Sequence, residues 1–124
     1  MMLDALSPLG EDYIKKVKFK LSDKSIDYLP NQNKRSGAYN THCYGAKSLI
    51  LTNWTNNFYS VSTLAHEMGH CINAEYFCEA QPREKANITI FSAEIASTVN
   101  ELLLTEYMLK NSNKQEKIAY LQKF

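Results

Sequence analysis

The strongest constraint on this chain is a change of period at residue 58. From there Val61, Leu64, Ala65, Met68, Ile72 and Tyr76 recur at three- and four-residue spacings, which predicts an amphipathic helix to about Cys78. The same stretch contains TLAHEMGHCIN, where His66 and His70 stand four positions apart and Glu67 follows the first histidine. At about 100° per residue, His66, His70 and Asn73 fall roughly opposite the apolar stripe, so they do not compete with the core. Histidines spaced this way lie one above the other on a helix, and both imidazoles can reach a single ion at about 2.0 to 2.1 Å. Glu67 projects to their flank, a position suited to a general base rather than to a ligand. A solvated helix face would carry the same three residues, because a bare HExxH also arises by chance. Gly69 favours the site: it weakens a mid-helix position by about 1 kcal/mol relative to alanine, a cost that makes sense if another backbone or a substrate passes close by.

Around this helix the texture differs. Ser7-Pro8 before Leu9 predicts a helix start, with the helix running to about Ser22. On it, lysines 15, 16, 18 and 20 read as a solvated face, with Tyr13, Val17 and Leu21 on the other side. Residues 25–54 are rich in β-branched, aromatic and turn residues and contain Gly37 and Gly45. Short strands are expected near 26–29, 37–42 and 48–53. Pro82 breaks the chain, a second long helix is expected over about 88–110, and a shorter one over 114–124. The fold class is therefore mainly α with a small β-sheet, and residues 1–124 read as one domain.

Bulk properties exclude more than they specify. With 14 lysines and arginines against 13 acids, the net charge of +1 offers no nucleic-acid footprint. No apolar run approaches the roughly 20 residues that span a bilayer, and the N-terminal stretch lacks the pattern of a signal peptide. The chain reads as soluble and cytoplasmic, with no membrane partner. Its three cysteines are an odd number, and Cys71 and Cys78 on one helix would be about 10 Å apart, beyond disulfide reach. Reduced thiols are expected, with Cys71 a packed apolar residue rather than a ligand.

A catalytic zinc site needs a third protein ligand and an open fourth position. The second long helix offers Glu94, followed by Thr98, Glu101 and Thr105 on one narrow polar stripe. Against them stand Phe91, Ile95, Val99, Leu102 and Leu103 on a broad apolar face. The stripe is either solvent-exposed or, if two antiparallel helices pack across the break at Pro82, it brings Glu94 opposite His66 and His70. Thr98 and Glu101 would then orient ligands.

TLAHEMGHCINAEYF followed by FSAEIASTVNELLLTEYML resembles the oligoendopeptidase F branch of the thimet oligopeptidase family of zinc metallopeptidases, and KRSGAYNTHCYG and SLILTNW resemble the segment before that family's zinc helix. The resemblance implies a zincin-like catalytic core segment, with the HExxH helix packed against a second long helix. It implies one zinc held by His66, His70 and Glu94, with Glu67 as general base and acid. Short unstructured peptides are the implied substrates, held as an extended strand beside the sheet that contains GAYN. Members of the family are several times longer, so the chain reads as a partial catalytic domain. No residue here matches the family's substrate-binding histidine and tyrosines, and His42 reads as a turn or cleft-lining residue.

Two functional expectations follow. The first is a zinc-dependent metalloendopeptidase or its core segment, slow by itself because losing one oxyanion donor typically costs about 100- to 1000-fold in rate. The second is a truncated, non-catalytic zinc-binding fragment that self-associates or packs against a complementing polypeptide, for which a large exposed apolar patch would be the sign.

Overall fold

A computed structural model of the chain describes residues 1–122. A short helix α1 (Met2–Ala5) and a 3₁₀ turn (Ser7–Leu9) precede helix α2 (Glu11–Ser22). Three short strands follow, β1 (Ile26–Asp27), β2 (Tyr39–Thr41) and β3 (Leu49–Leu51), and then the long helices α3 (Phe58–Ala80) and α4 (Ile90–Lys110) and the terminal α5 (Lys114–Leu121). The expected last helix is present to Leu121, and residues 123–124 of that expectation lie outside the described residues.

The expected helix start at Ser7-Pro8 is corrected. Those residues form a single 3₁₀ turn, and Gly10 at φ +94° and ψ 165° resets the chain before α2 begins at Glu11. No helix continues through that backbone conformation, which glycine adopts without a Cβ penalty. The strands lie where expected but are shorter. The sheet order is β1-β3-β2, with β1 parallel to β3 and β2 antiparallel to it. Ile26 pairs with Ile50, and Asn40 pairs with Ile50 from the other side.

Asn57 caps α3 by accepting from the Ser60 amide, and Thr89 caps α4 in the same way through Ser92. The main core gathers Leu6, Val17, Ile50, Leu64, Met68, Cys71 and Ile72, so one face of α3 packs on the N-terminal helices and on β3. Ala5, Ala65 and Leu104 form a second cluster between α1, α3 and α4. Burial of Leu64, Ala65, Met68 and Ile72 agrees with the apolar stripe, while Tyr76 at its end is exposed.

One side-chain face differs from expectation, and the open question of how α4 faces its neighbour is decided. Lys20 is not on a solvated face: it is 2% exposed, its Nζ lies 2.5 Å from Glu75 on α3, and it also donates to the Ser48 carbonyl at 3.3 Å. Leu21 beside it is exposed. A buried ammonium needs paired acceptors, and Glu75 and Ser48 supply them. On α4 the apolar face is outside, with Phe91 78%, Ile95 53% and Leu102 53% exposed, while Ser97, Asn100, Leu104 and Thr105 are buried against the rest of the chain. The reason is the closeness of α3 and α4. A Cβ built on Gly69 would lie 2.7 Å from the Ser97 Cα and 2.8 Å from the Ala96 carbonyl oxygen. At that crossing only small residues fit, so α4 turns Ser97 toward Gly69, with Asn100, Leu104 and Thr105 following on the same inward face.

Candidate metal centre

The contacts between α3 and α4 run antiparallel. Ala65 meets Asn100, His66 meets Glu101, Gly69 meets Ser97, and His70 meets Glu94. The glycine that permits this approach thus sits between the two histidines. Asn100 locks the register: its Nδ2 donates to the Ala65 carbonyl at 2.9 Å, and its Oδ1 accepts from the Tyr13 hydroxyl at 2.9 Å. Burial pushes the Tyr13 phenol up to about 12, with the hydrogen bond to Asn100 opposing the shift.

His66, His70 and Glu94 come together as the sequence suggests, with one ligand atom from each within 4.8 Å of the others. The two Nε2 atoms are 3.0 Å apart, and each lies 3.6 Å from a carboxylate oxygen of Glu94. A tetrahedral zinc with ligands at 2.0 to 2.1 Å separates them by about 3.3 Å. His66 reaches Oε2 of Glu94 and His70 reaches Oε1, so the three groups stand close to the spacing such an ion requires.

Two neighbours set the chemistry of these donors. His66 Nδ1 lies 2.8 Å from Glu101 Oε1, and because an ionised carboxylate only accepts, Nδ1 carries the proton and Nε2 keeps its lone pair facing His70. Ser97 Oγ donates to Glu94 Oε2 at 3.1 Å and orients that carboxylate, although Glu94 itself is half exposed. Glu101 thus holds the His66 ring from the polar stripe of α4. Thr98 is exposed and lines a shallow groove with Phe91, Glu94, Ile95 and Val99. Thr105, from the same stripe, is buried.

Glu67 is 8% exposed and accepts from Asn40 Nδ2 at 3.1 Å, which ties the middle of β2 to the histidine helix. Asn40 and Ser97 were not singled out from the sequence. The signal for Ser97 is its place three residues after Glu94, and for Asn40 it is the alternation of GAYN on a strand. His42, just past β2, faces away from this centre and bonds to Ser48 Oγ and Cys78 Sγ. Cys71 is fully buried, as expected, and burial is the main cause of its raised thiol pKa.

Known proteins match along almost the whole chain. The sequence profile of Peptidase family M3 matches residues 4–124. The chain is 42% identical over 120 residues to oligopeptidase PepF of Bacillus subtilis (strain 168), covering 97% of this chain and 18% of that protein. It is 44% identical over 119 residues to the chromosomal oligoendopeptidase F of Lactococcus lactis subsp. cremoris, covering 95% of this chain and 20% of that protein. A crystal structure from Chlamydophila abortus, described as that of a candidate peptidase, superimposes with a TM-score of 0.88 at 44% identity, covering 94% of this chain and 20% of that one. The chain therefore spans about a fifth of the length of the relatives it matches. From the paired long helices to the sheet beside them, the chain belongs to Peptidase family M3.

Proposed function

We propose that this chain is the metal-binding and proton-transferring core of a zinc-dependent oligoendopeptidase that hydrolyses short unstructured peptides. The observation that carries the reading is the convergence of His66 Nε2, His70 Nε2 and the Glu94 carboxylate at separations of 3.0 and 3.6 Å. His66, His70 and Glu94 would hold the ion, and zinc bound there supplies Lewis-acid chemistry, polarising a carbonyl and making water acidic near neutral pH. Glu67 takes the proton of the attacking water at a carboxylate oxygen and returns it to the departing amine. Asn40 holds that carboxylate by its Oε2 and so limits its rotation during both transfers. Glu101 keeps the His66 proton on Nδ1, and Ser97 keeps Glu94 aimed at the histidines.

Two substitutions separate the roles. His70→Ala is expected to abolish stoichiometric zinc in metal analysis of the purified chain, and full occupancy in that variant would remove the site. Glu67→Gln is expected to keep zinc and to lower cleavage of a quenched peptide by at least about 100-fold wherever the parent sequence cleaves it. Equal rates would exclude Glu67 as the base.

A second reading is favoured by the exposed Phe91, Ile95 and Leu102 on α4: a non-catalytic zinc-binding fragment that packs against another polypeptide. The two readings differ in turnover. Zinc-loaded monomer cleaving peptide at enzyme-like rates, about 1 to 1000 per second, supports the first. Bound zinc without turnover, with activity restored by a complementing polypeptide, shows a core that needs the rest of its fold, whereas no activity in either form supports the fragment.

A further inference from the structure

A second cluster of reactive side chains lies at the far end of α3 and is used by none of the chemistry above. Cys78 Sγ is 2.9 Å from His42 Nε2, and His42 Nδ1 is 2.6 Å from the buried Ser48 Oγ. One tautomer satisfies both contacts: the thiol donates to Nε2, and Nδ1–H donates to the serine oxygen. A base oriented by a third group and held against a thiol is the arrangement that activates sulfur for attack. Cys78 is partly exposed and, with His42, lines an open cleft of about 330 Å³ that a small molecule can enter.

The carboxylates around the pair are themselves paired. Glu75 and Glu79 share the cleft, and carboxylates beside a thiol disfavour the thiolate, but each is matched by a lysine from α2. Lys20 lies 2.5 Å from Glu75, and Lys16 lies 2.5 Å from Glu79. The Tyr44 hydroxyl, also at the cleft, donates to the Gln81 carbonyl. The other two thiols provide contrast. Cys43 is exposed, and Cys71 is sealed in the core with its thiol pushed up chiefly by burial.

We propose that Cys78, with His42 as its base, is a thiol modification site for small peroxides and soft electrophiles. With hydrogen peroxide, the thiol proton passes to His42 Nε2 as sulfur attacks one peroxide oxygen. The S–O bond forms as the O–O bond breaks, and the departing hydroxide takes the proton from His42 and leaves as water. Sulfur is oxidised to a sulfenic acid, and the peroxide is reduced. With iodoacetamide the S–C bond forms as iodide leaves, and the proton stays on His42 until solvent removes it.

The test is competitive labelling of the intact chain with limiting iodoacetamide, with each cysteine peptide quantified by mass spectrometry. Exposure alone would make Cys43 react first. The expected result is Cys78 labelled at least about 10-fold faster than Cys43, and a His42→Gln variant with the parent's circular dichroism whose Cys78 rate falls by a similar factor. After brief peroxide treatment, dimedone should trap the sulfenic acid at Cys78 ahead of Cys43. Parent protein in which Cys43 reacts as fast as Cys78 overturns the proposal without recourse to any variant. So does a folded His42→Gln protein whose Cys78 reacts at the parent rate. Neither readout involves zinc or peptide cleavage.

Discussion

Gly69 shows how one residue can serve two elements. Alanine there would gain about 1 kcal/mol of helix propensity. The added methyl group would, however, meet the Ser97 Cα at 2.7 Å and the Ala96 carbonyl oxygen at 2.8 Å, and backbone atoms cannot yield as a flexible side chain can. Gly69→Ala is therefore expected to destabilise the chain by about 1 to 3 kcal/mol net, because overpacking outweighs propensity. Its zinc affinity should also fall, since moving α4 away moves Glu94 from the histidines. Thermal denaturation and zinc titration check both effects, and a raised melting midpoint would contradict the close approach. At this scale the histidine pair and Glu67 were legible because helical spacing is local, and the contact of Ser97 with Glu94 is local in the same way, one turn apart on α4. Asn40 was not legible, because the place of Glu67 beside it depends on how β2 packs against α3.

Between elements, the contacts that matter are polar ones the hydrophobic pattern does not report. Tyr13 on α2 reaches Asn100 on α4, which reaches the Ala65 carbonyl on α3. The folded Tyr13 pKa is raised from 10.0 to about 12, so the folded state holds its proton more tightly than the unfolded chain. The associated stability is complete below pH 10 and is lost as pH rises through 12, by at most about 2 to 3 kcal/mol at about 1.4 kcal/mol per unit. Urea denaturation between pH 9 and 12 should show this loss in the parent and a flatter profile in Tyr13→Phe. At neutral pH, that variant should be weaker by about 1 kcal/mol for the lost hydrogen bond. Identical alkaline profiles would mean that Tyr13 is not the titrating group. Lys20 teaches the same lesson. A lysine among lysines reads as solvated, and only the placement of Glu75 and Ser48 makes its burial affordable. For α4, the small residues needed against Gly69 determined which face turned inward.

Over the molecule as a whole, the exposed Ile90, Phe91, Ile95 and Leu102 place an apolar strip beside the half-exposed Glu94. Contiguous exposed apolar surface drives association. The parent chain is expected to sediment with a concentration-dependent mass, and Ile95→Lys with Leu102→Lys to hold it monomeric without loss of zinc. A monomer at all concentrations in the parent would show that the strip is too small to matter. Among the described residues no helix is long and apolar enough to cross a membrane. By itself the sequence determined the long helices, the small sheet and the vertical pair His66 and His70, because 3.6-residue periodicity and turn residues act within a few positions of one another. Only the tertiary structure decided that Glu94 closes the triangle, that Asn40 holds Glu67 and that α4 hides its polar face. Those outcomes depend on how closely two backbones can approach, a distance set at Gly69 by a missing Cβ that no local pattern of hydrophobicity records.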